Sequence, residues 1–106
     1  MKSIIVGIAV AAGLTLAGSS IAADMPDLAK KLGCIACHKI DKKVVGPAWQ
    51  AVADKYKGDA GALEKMSTKI IKGGGGVWGS IPMPPNAKIT DADAKELATF
   101  ILGLAK

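Results

Sequence analysis

The 106-residue chain contains no arginine, a single histidine and two cysteines, and its aromatic residues are two Trp, one Tyr and one Phe. A chain of this length forms one small domain and excludes a large multidomain enzyme. Two cysteines cannot build the multi-disulfide framework that stabilises many small secreted proteins, and one histidine cannot supply a His-rich metal site. Elaborate chemistry would have to come from a bound group. Charge is short of one sign: 14 Lys face 9 acidic residues, for a formal net charge of +5. That balance suits an acidic partner but does not by itself distinguish nucleic acid, anionic membrane and acidic protein.

What is present begins with a segment unlike the rest. Met1, Lys2 and Ser3 form a short basic start, Ile4 to Gly18 is an uncharged apolar run, and Ser19-Ser20-Ile21-Ala22-Ala23 ends in small residues that signal peptidase accepts. This reads as an export signal over residues 1–23, cut after Ala23 or Ala22, and not as a retained anchor, because the apolar run is shorter than the roughly 20 residues a spanning helix needs. The working domain is then 24–106, periplasmic and without stable membrane insertion. Removing Lys2 lowers the formal charge from +5 to +4.

Helical periodicity dominates that domain, and no segment sustains strand alternation, so the expected class is all-α. Met25-Pro26-Asp27 resembles a helix start with proline at the first helical position, followed by Leu28, Leu32 and Ile35 at i, i+4 and i+7. Trp49, Val52 and Tyr56 share a face in a second short helix that Gly58-Asp59 should end. Leu63, Met66 and Ile70 predict a third, ending at Gly73 to Gly76. Thr90 can cap a fourth, with Asp93 three residues on and a stripe of Leu97, Phe100, Ile101 and Leu104.

The stretch from Gly73 to Ile89 is long for a loop in so small a domain, which marks it as functional or disordered. Its four consecutive glycines predict local mobility. Its second half, Val77-Trp78-Gly79-Ser80-Ile81-Pro82-Met83-Pro84-Pro85, is apolar and stiff, which is not linker composition, and should pack against something. Four short helices with few aromatics would make a thin core near the size limit for independent stability. A large apolar prosthetic group would fill it.

Cys34-Ile35-Ala36-Cys37-His38 is the most informative run. Cys-x-x-Cys-His is the attachment signature of c-type haem: cysteines at i and i+3 reach both vinyl groups as thioethers, and the adjacent imidazole is placed on the iron. The competing readings fit less well. A structural zinc site lacks a second Cys or His cluster, a redox dithiol lacks its usual βαβ pattern, and a plain disulfide leaves His38 without a role. For the sixth iron position the domain offers Met25, Met66 and Met83, with lysine amines as a weaker option. Met66 lies on a helical stripe and reads as core, and Met25 sits at the chain end, where it would be poorly held. Met83, between Pro82 and Pro84-Pro85, has a restricted backbone and is the expected ligand. Fixed His/Met ligation suits a redox carrier, because it keeps reorganisation small and raises the reduction potential.

Cys34 to His38, Val45-Gly46-Pro47-Ala48, Gly76-Val77-Trp78-Gly79 and Ile81-Pro82-Met83-Pro84-Pro85-Asn86 resemble, in this order and spacing, the small bacterial class I cytochromes c of the c-551/c-552 type. The resemblance spans essentially the whole domain. It implies a cytochrome c-like fold of about four short helices around one covalent haem c, with His38 and Met83 as axial iron ligands, carrying single electrons in the periplasm. It further implies that the Pro47 carbonyl accepts from the His38 ring nitrogen that does not bind iron, that Asn86 donates to the Met83 sulfur, and that the Trp78 indole N–H reaches a propionate. Lys69 falls where relatives often carry an arginine near the propionates; a lysine there is a point charge without the planar fork. Read from the residues alone, Trp49 is simple packing, Trp78 is either core or propionate donor, and Asn86 is also suited to a turn after two prolines.

Lys30, Lys31, Lys39, Lys42 and Lys43 cluster around the attachment motif in sequence, either as solubilising surface or as a docking face. Two propionates would bring the charge to about +2 in the reduced state. With no nucleic-acid motif present, the expected partners are acidic redox proteins, with a terminal oxidase, a nitrite reductase or a peroxidase as candidates. The expected state is a monomer that transforms no substrate itself. The alternative is a haem enzyme or gas sensor, peroxidase-like, which needs a labile sixth ligand.

Overall fold

The computed structural model describes residues 24–106; the export segment expected at 1–23 lies outside the described residues. Four α-helices follow in order, α1 Asp27–Lys31, α2 Trp49–Lys55, α3 Ala62–Lys72 and α4 Asp91–Leu102, with a 3₁₀ turn at Cys34–Ala36 between the first two. Among the described residues there is no strand, only two isolated antiparallel bridges, His38 with Lys43 and Gly74 with Met83. The expected all-α class with four short helices is the observed one.

Helix α1 departs from its sequence pattern at both ends. Pro26 is the N-cap and not the first helical residue: its ψ of 149° is extended, and its carbonyl accepts from Ala29 N and Lys30 N at 3.0 and 3.3 Å. The helix stops after one turn because Gly33 adopts φ +78°, a left-handed conformation that turns the chain away. Ile35, placed by periodicity on the same stripe as Leu28 and Leu32, therefore falls in the 3₁₀ turn and is 47% exposed. The helix still anchors through Ala29, which is fully buried and lies in the core shared with α4.

Helices α3 and α4 form the main packed pair, and α2 leans on α4. On α3 the buried stripe is Ala62, Met66, Ser67 and Ile70. Leu63, expected on it, sits on the flank and is exposed, since one residue of rotation moves a side chain about 100° around the helix. On α4, Ala94, Leu97, Ala98 and Ile101 are buried, while Phe100, and Leu104 just past the helix end, pack at the core's edge. Thr90 Oγ1 accepts from Asp93 N at 3.1 Å, the capping contact expected at this start. The first turn of α2 has no side-chain cap. Its free amides find backbone acceptors just after the Cys-x-x-Cys-His run instead: Trp49 N donates to Lys39 O and Gln50 N to Ile40 O, both at 2.9 Å. The segment following His38 is thereby fastened to the start of α2.

The loop from Gly73 to Ile89 is fastened along its length to the end of α3. Gly74 N donates to Met83 O at 2.9 Å and Met83 N returns the bond to Gly74 O at 2.8 Å. Farther on, Asn86 N reaches Ile71 O at 3.0 Å and Asn86 Nδ2 reaches Ile70 O at 2.8 Å. The glycines that suggested slackness include Gly73 and Gly74, which hold defined backbone bonds on both sides of the α3 terminus.

Candidate functional site

A single cavity of about 410 Å³ collects the chemistry-bearing residues expected from the sequence: Cys34, Cys37, His38 and Met83 all line it. Its walls come from the helices, with Val52 of α2, Met66 and Ile70 of α3, and Leu97 and Ile101 of α4. An apolar chamber of this kind, opening between core helices and holding a few convergent ligand-type groups, fits a large flat apolar prosthetic group.

The attachment run reaches the cavity through local geometry. Beyond Gly33 the chain turns tightly, with Cys37 N donating to Cys34 O at 3.2 Å and His38 N to the same oxygen at 2.9 Å. This brings both sulfurs and the imidazole to one wall. The two cysteines are not joined in a disulfide. Burial, reinforced by the neighbouring Cys37, pushes the Cys34 thiol above its ordinary range although a local backbone hydrogen bond opposes it. Among the described residues no group of three or more His, Cys, Asp and Glu side chains could hold a metal ion.

His38 is the most closely determined side chain of the site. Its Nδ1 lies 2.9 Å from the Pro47 carbonyl oxygen. A carbonyl only accepts, so Nδ1 carries the proton and Nε2 keeps its lone pair free for a metal. The ring is also crowded by backbone. A Cβ built on Gly46 would stand 2.5 Å from Cε1, 2.9 Å from Nδ1 and 3.0 Å from Nε2 of His38. The near equality of these distances places the added carbon over the face of the ring. Gly46 is itself tied to the attachment run by Gly46 N donating to Cys37 O at 2.8 Å. In the sequence Gly46 stands out only as part of Val45-Gly46-Pro47-Ala48; its approach to the ring joins segments that no local pattern connects.

The remaining predicted residues divide. Trp78 lines the cavity and is 40% exposed, with Lys55 Nζ 5.5 Å from its ring centroid. Lys69 also lines the cavity, and its Nζ would lie 3.0 Å from a Cβ on Gly74, beside the residue that pairs with Met83. Lys43 and Lys65 line it too, so in a chain without arginine the cationic groups at this cavity are amines. Met66 is core, as expected, and also forms part of the cavity wall. Met25 packs against the core's edge and does not line the cavity. Asn86 is not in the cavity wall; its Nδ2, which carries two N–H donors, donates one bond to Ile70 O, closing the Met83 loop onto α3. Trp49 is 4% exposed, as its packing role required, but its ring also stands 5.9 Å from the His38 ring, tilted by 34°.

Comparison with known proteins gives concordant matches. The family model described as cytochrome c matches residues 17–105. Cytochrome c-551 of Allochromatium vinosum is 50% identical over 91 residues, covering 86% of this chain and 95% of that one. Cytochrome c-552 of Nitrosomonas europaea is 49% identical over 104 residues, covering 98% of this chain and 99% of its own. The crystal structure of wild-type Nitrosomonas europaea cytochrome c552 superposes with a TM-score of 0.72 at 55% identity, over 74% of this chain and 96% of that one.

Proposed function

Since the chain belongs to the cytochrome c family, we propose that it is a periplasmic one-electron carrier in which Cys34 and Cys37 hold the haem c, and His38 and Met83 ligate its iron. As a cytochrome c it is an electron carrier and not an enzyme. The haem, when bound, supplies reversible one-electron Fe(III)/Fe(II) chemistry. The chain's own residues do the rest. Cys34 and Cys37 would carry the thioether links from the wall of the cavity. Pro47 holds the proton on His38 Nδ1 and so presents Nε2 as a fixed, electron-rich donor. Met83 would offer its thioether from a backbone clasped to Gly74, which would raise the potential relative to harder donors. Val52, Ile70, Leu97 and Ile101 keep water from the chamber. Trp78 and Lys69 line the cavity, where the Trp78 indole N–H would donate to a propionate and Lys69 would supply a positive charge, and Asn86 would act on Met83, whose loop it fastens to α3.

The observation that carries this reading is the His38 Nδ1 bond to Pro47 O in the same cavity as both cysteines and Met83. The test is the absorption spectrum of the purified protein. A c-type spectrum with a weak far-red sulfur-to-ferric-iron band is expected, and Met83→Ala should remove that band while leaving the pigment covalently attached. Binding of cyanide or carbon monoxide as fast as to an open haem would overturn the reading in favour of a haem enzyme or gas sensor.

On this reading the domain is 24–106, behind a cleaved export segment at 1–23. No helix among the described residues is long and apolar enough to cross a membrane. Acidic redox proteins are the proposed partners: Lys30, Lys31, Lys39, Lys42 and Lys43 are all exposed near the attachment run, with Ile35, Val44 and Val45 exposed among them. Rates of electron transfer to such a partner should fall steeply as salt is raised through the range where the screening length shrinks below roughly 10 Å. A flat salt profile in stopped-flow measurements would remove the electrostatic docking.

A further inference from the structure

We infer that Trp49 is a positioning residue for His38, setting the plane of the imidazole and with it the direction of the Nε2 lone pair. The inference rests on the reading of His38 as an iron ligand. One hydrogen bond from Nδ1 to Pro47 O fixes the distance of the ring edge. Carbonyl oxygens accept over a broad range of directions, so that bond alone leaves the ring free to rock. The plane is fixed only by what touches the ring faces. Gly46 approaches over a face closely enough that one added carbon would overlap it. Trp49 presents an aromatic surface at 5.9 Å between centroids, tilted by 34°.

Trp49 is built to hold its place. It is the first residue of α2, with its backbone N donating to Lys39 O, one residue beyond His38. Its ring packs against Phe100 of α4 at 6.0 Å and 67°, an edge-on arrangement of the kind aromatic pairs favour. At 4% exposure it has little room to swing. Gly46, Pro47 and Trp49 thus give, within four residues, a face contact, the acceptor and a second ring contact for one imidazole. A residue serving only to fill the core has no need of that arrangement. The chain places it one helix start from the acceptor, so the bond to Pro47 O and the contact with Trp49 are set by the same segment.

The test uses the holoprotein. In the ferric state the pattern of haem-methyl proton shifts reports the orientation of the axial imidazole plane, and exchange of His38 Nδ1–H reports how well the Pro47 bond is held. Trp49→Leu is expected to change the methyl pattern and to speed Nδ1–H exchange by about tenfold. Trp49→Tyr, which keeps a ring, should restore both. Ile89→Ala is the control: Ile89 is buried in the same core but does not line the cavity, so it should lower the thermal midpoint and leave both signals at parent values. Should Trp49→Leu fail to accumulate, Trp49→Met fills more of the space without a ring and is read in the same way. A parent-like methyl pattern and exchange rate in the ring-less variant would overturn the inference. If His38 ring protons in the parent show no displacement on oxidation, the iron-ligand reading falls and takes this inference with it. Displaced signals in the parent that stay unchanged in Trp49→Leu remove this inference alone.

Discussion

Gly73→Ala is expected to detach the Met83 loop and to abolish the far-red sulfur-to-iron band. Gly73 caps α3 with φ +66° and ψ −158°, a region that residues with a side chain essentially never occupy, at a cost of about 1–3 kcal/mol. Space is the larger problem. A Cβ there would lie 2.3 Å from Met83 O, 2.8 Å from Pro84 C and 2.9 Å from Pro85 N. All three are backbone atoms, and two belong to prolines whose φ cannot adjust. To make room, the Met83 carbonyl must leave Gly74 N, which now donates to it at 2.9 Å, and a further ~1 kcal/mol is lost with that bond. The sum is a large share of the 5–15 kcal/mol that holds a typical domain together. Chemical denaturation should show a drop of about 3 kcal/mol or more. The reduction potential should fall as the thioether is lost, by a sizeable part of the roughly 0.8 V over which axial ligands set haem potentials. Gly75→Ala is the matched comparison. Its added carbon would meet Pro82 Cα at 3.3 Å, with no positive φ, so a shift of a few tenths of an ångström relieves it and the band should survive. An intact band and parent-like stability in Gly73→Ala would show that the loop is not pinned at the end of α3.

Which of these features could be read before the fold was known follows from their physical origin. The proposed thioether and axial roles need particular atoms at particular spacings, which is why Cys34, Cys37, His38 and Met83 stand out in the sequence, and the cavity gathers all four. Helix α4 was legible because its cap and stripe are local: Thr90 bonds to Asp93 N, and Leu97 and Ile101 face inward. The Pro47 acceptor came through family resemblance, since a main-chain carbonyl leaves no mark in composition. Ile35 was misplaced because a single left-handed Gly33 overrides a periodicity that assumes the helix continues. Leu63 was misplaced because the stripe on α3 is set by where α4 lies, which the pattern of α3 alone does not contain. The bond from Asn86 Nδ2 to Ile70 O has no mark in the sequence, because it joins residues 16 positions apart. A side chain with several donors and acceptors takes the partner that folding delivers.

Gly46→Ala should separate attachment from ligation. Gly46, unlike Gly73, has no left-handed φ, so alanine fits its backbone and the substitution tests the contact alone. The added carbon would stand 2.5 Å from His38 Cε1. A flexible side chain could swing away from such an overlap, but this ring is bonded to Pro47 O at 2.9 Å and packed against Trp49. Relief therefore has two routes: the imidazole leaves Pro47, or the segment from Gly46 to Trp49 backs off and strains the bond from Gly46 N to Cys37 O. Either route turns Nε2 from its direction. Overpacking of this kind costs about 1–3 kcal/mol, which the fold should survive, and neither cysteine is disturbed by it directly. The expected result is pigment covalently attached at the parent level, a clearly altered ferric spectrum and potential, and faster exchange of His38 Nδ1–H. Gly46→Ala with parent-like spectrum, potential and exchange would mean that the imidazole is not held by the backbone that crosses it. Attachment lost together with ligation would mean that the overlap is relieved through Cys37 and not through the ring.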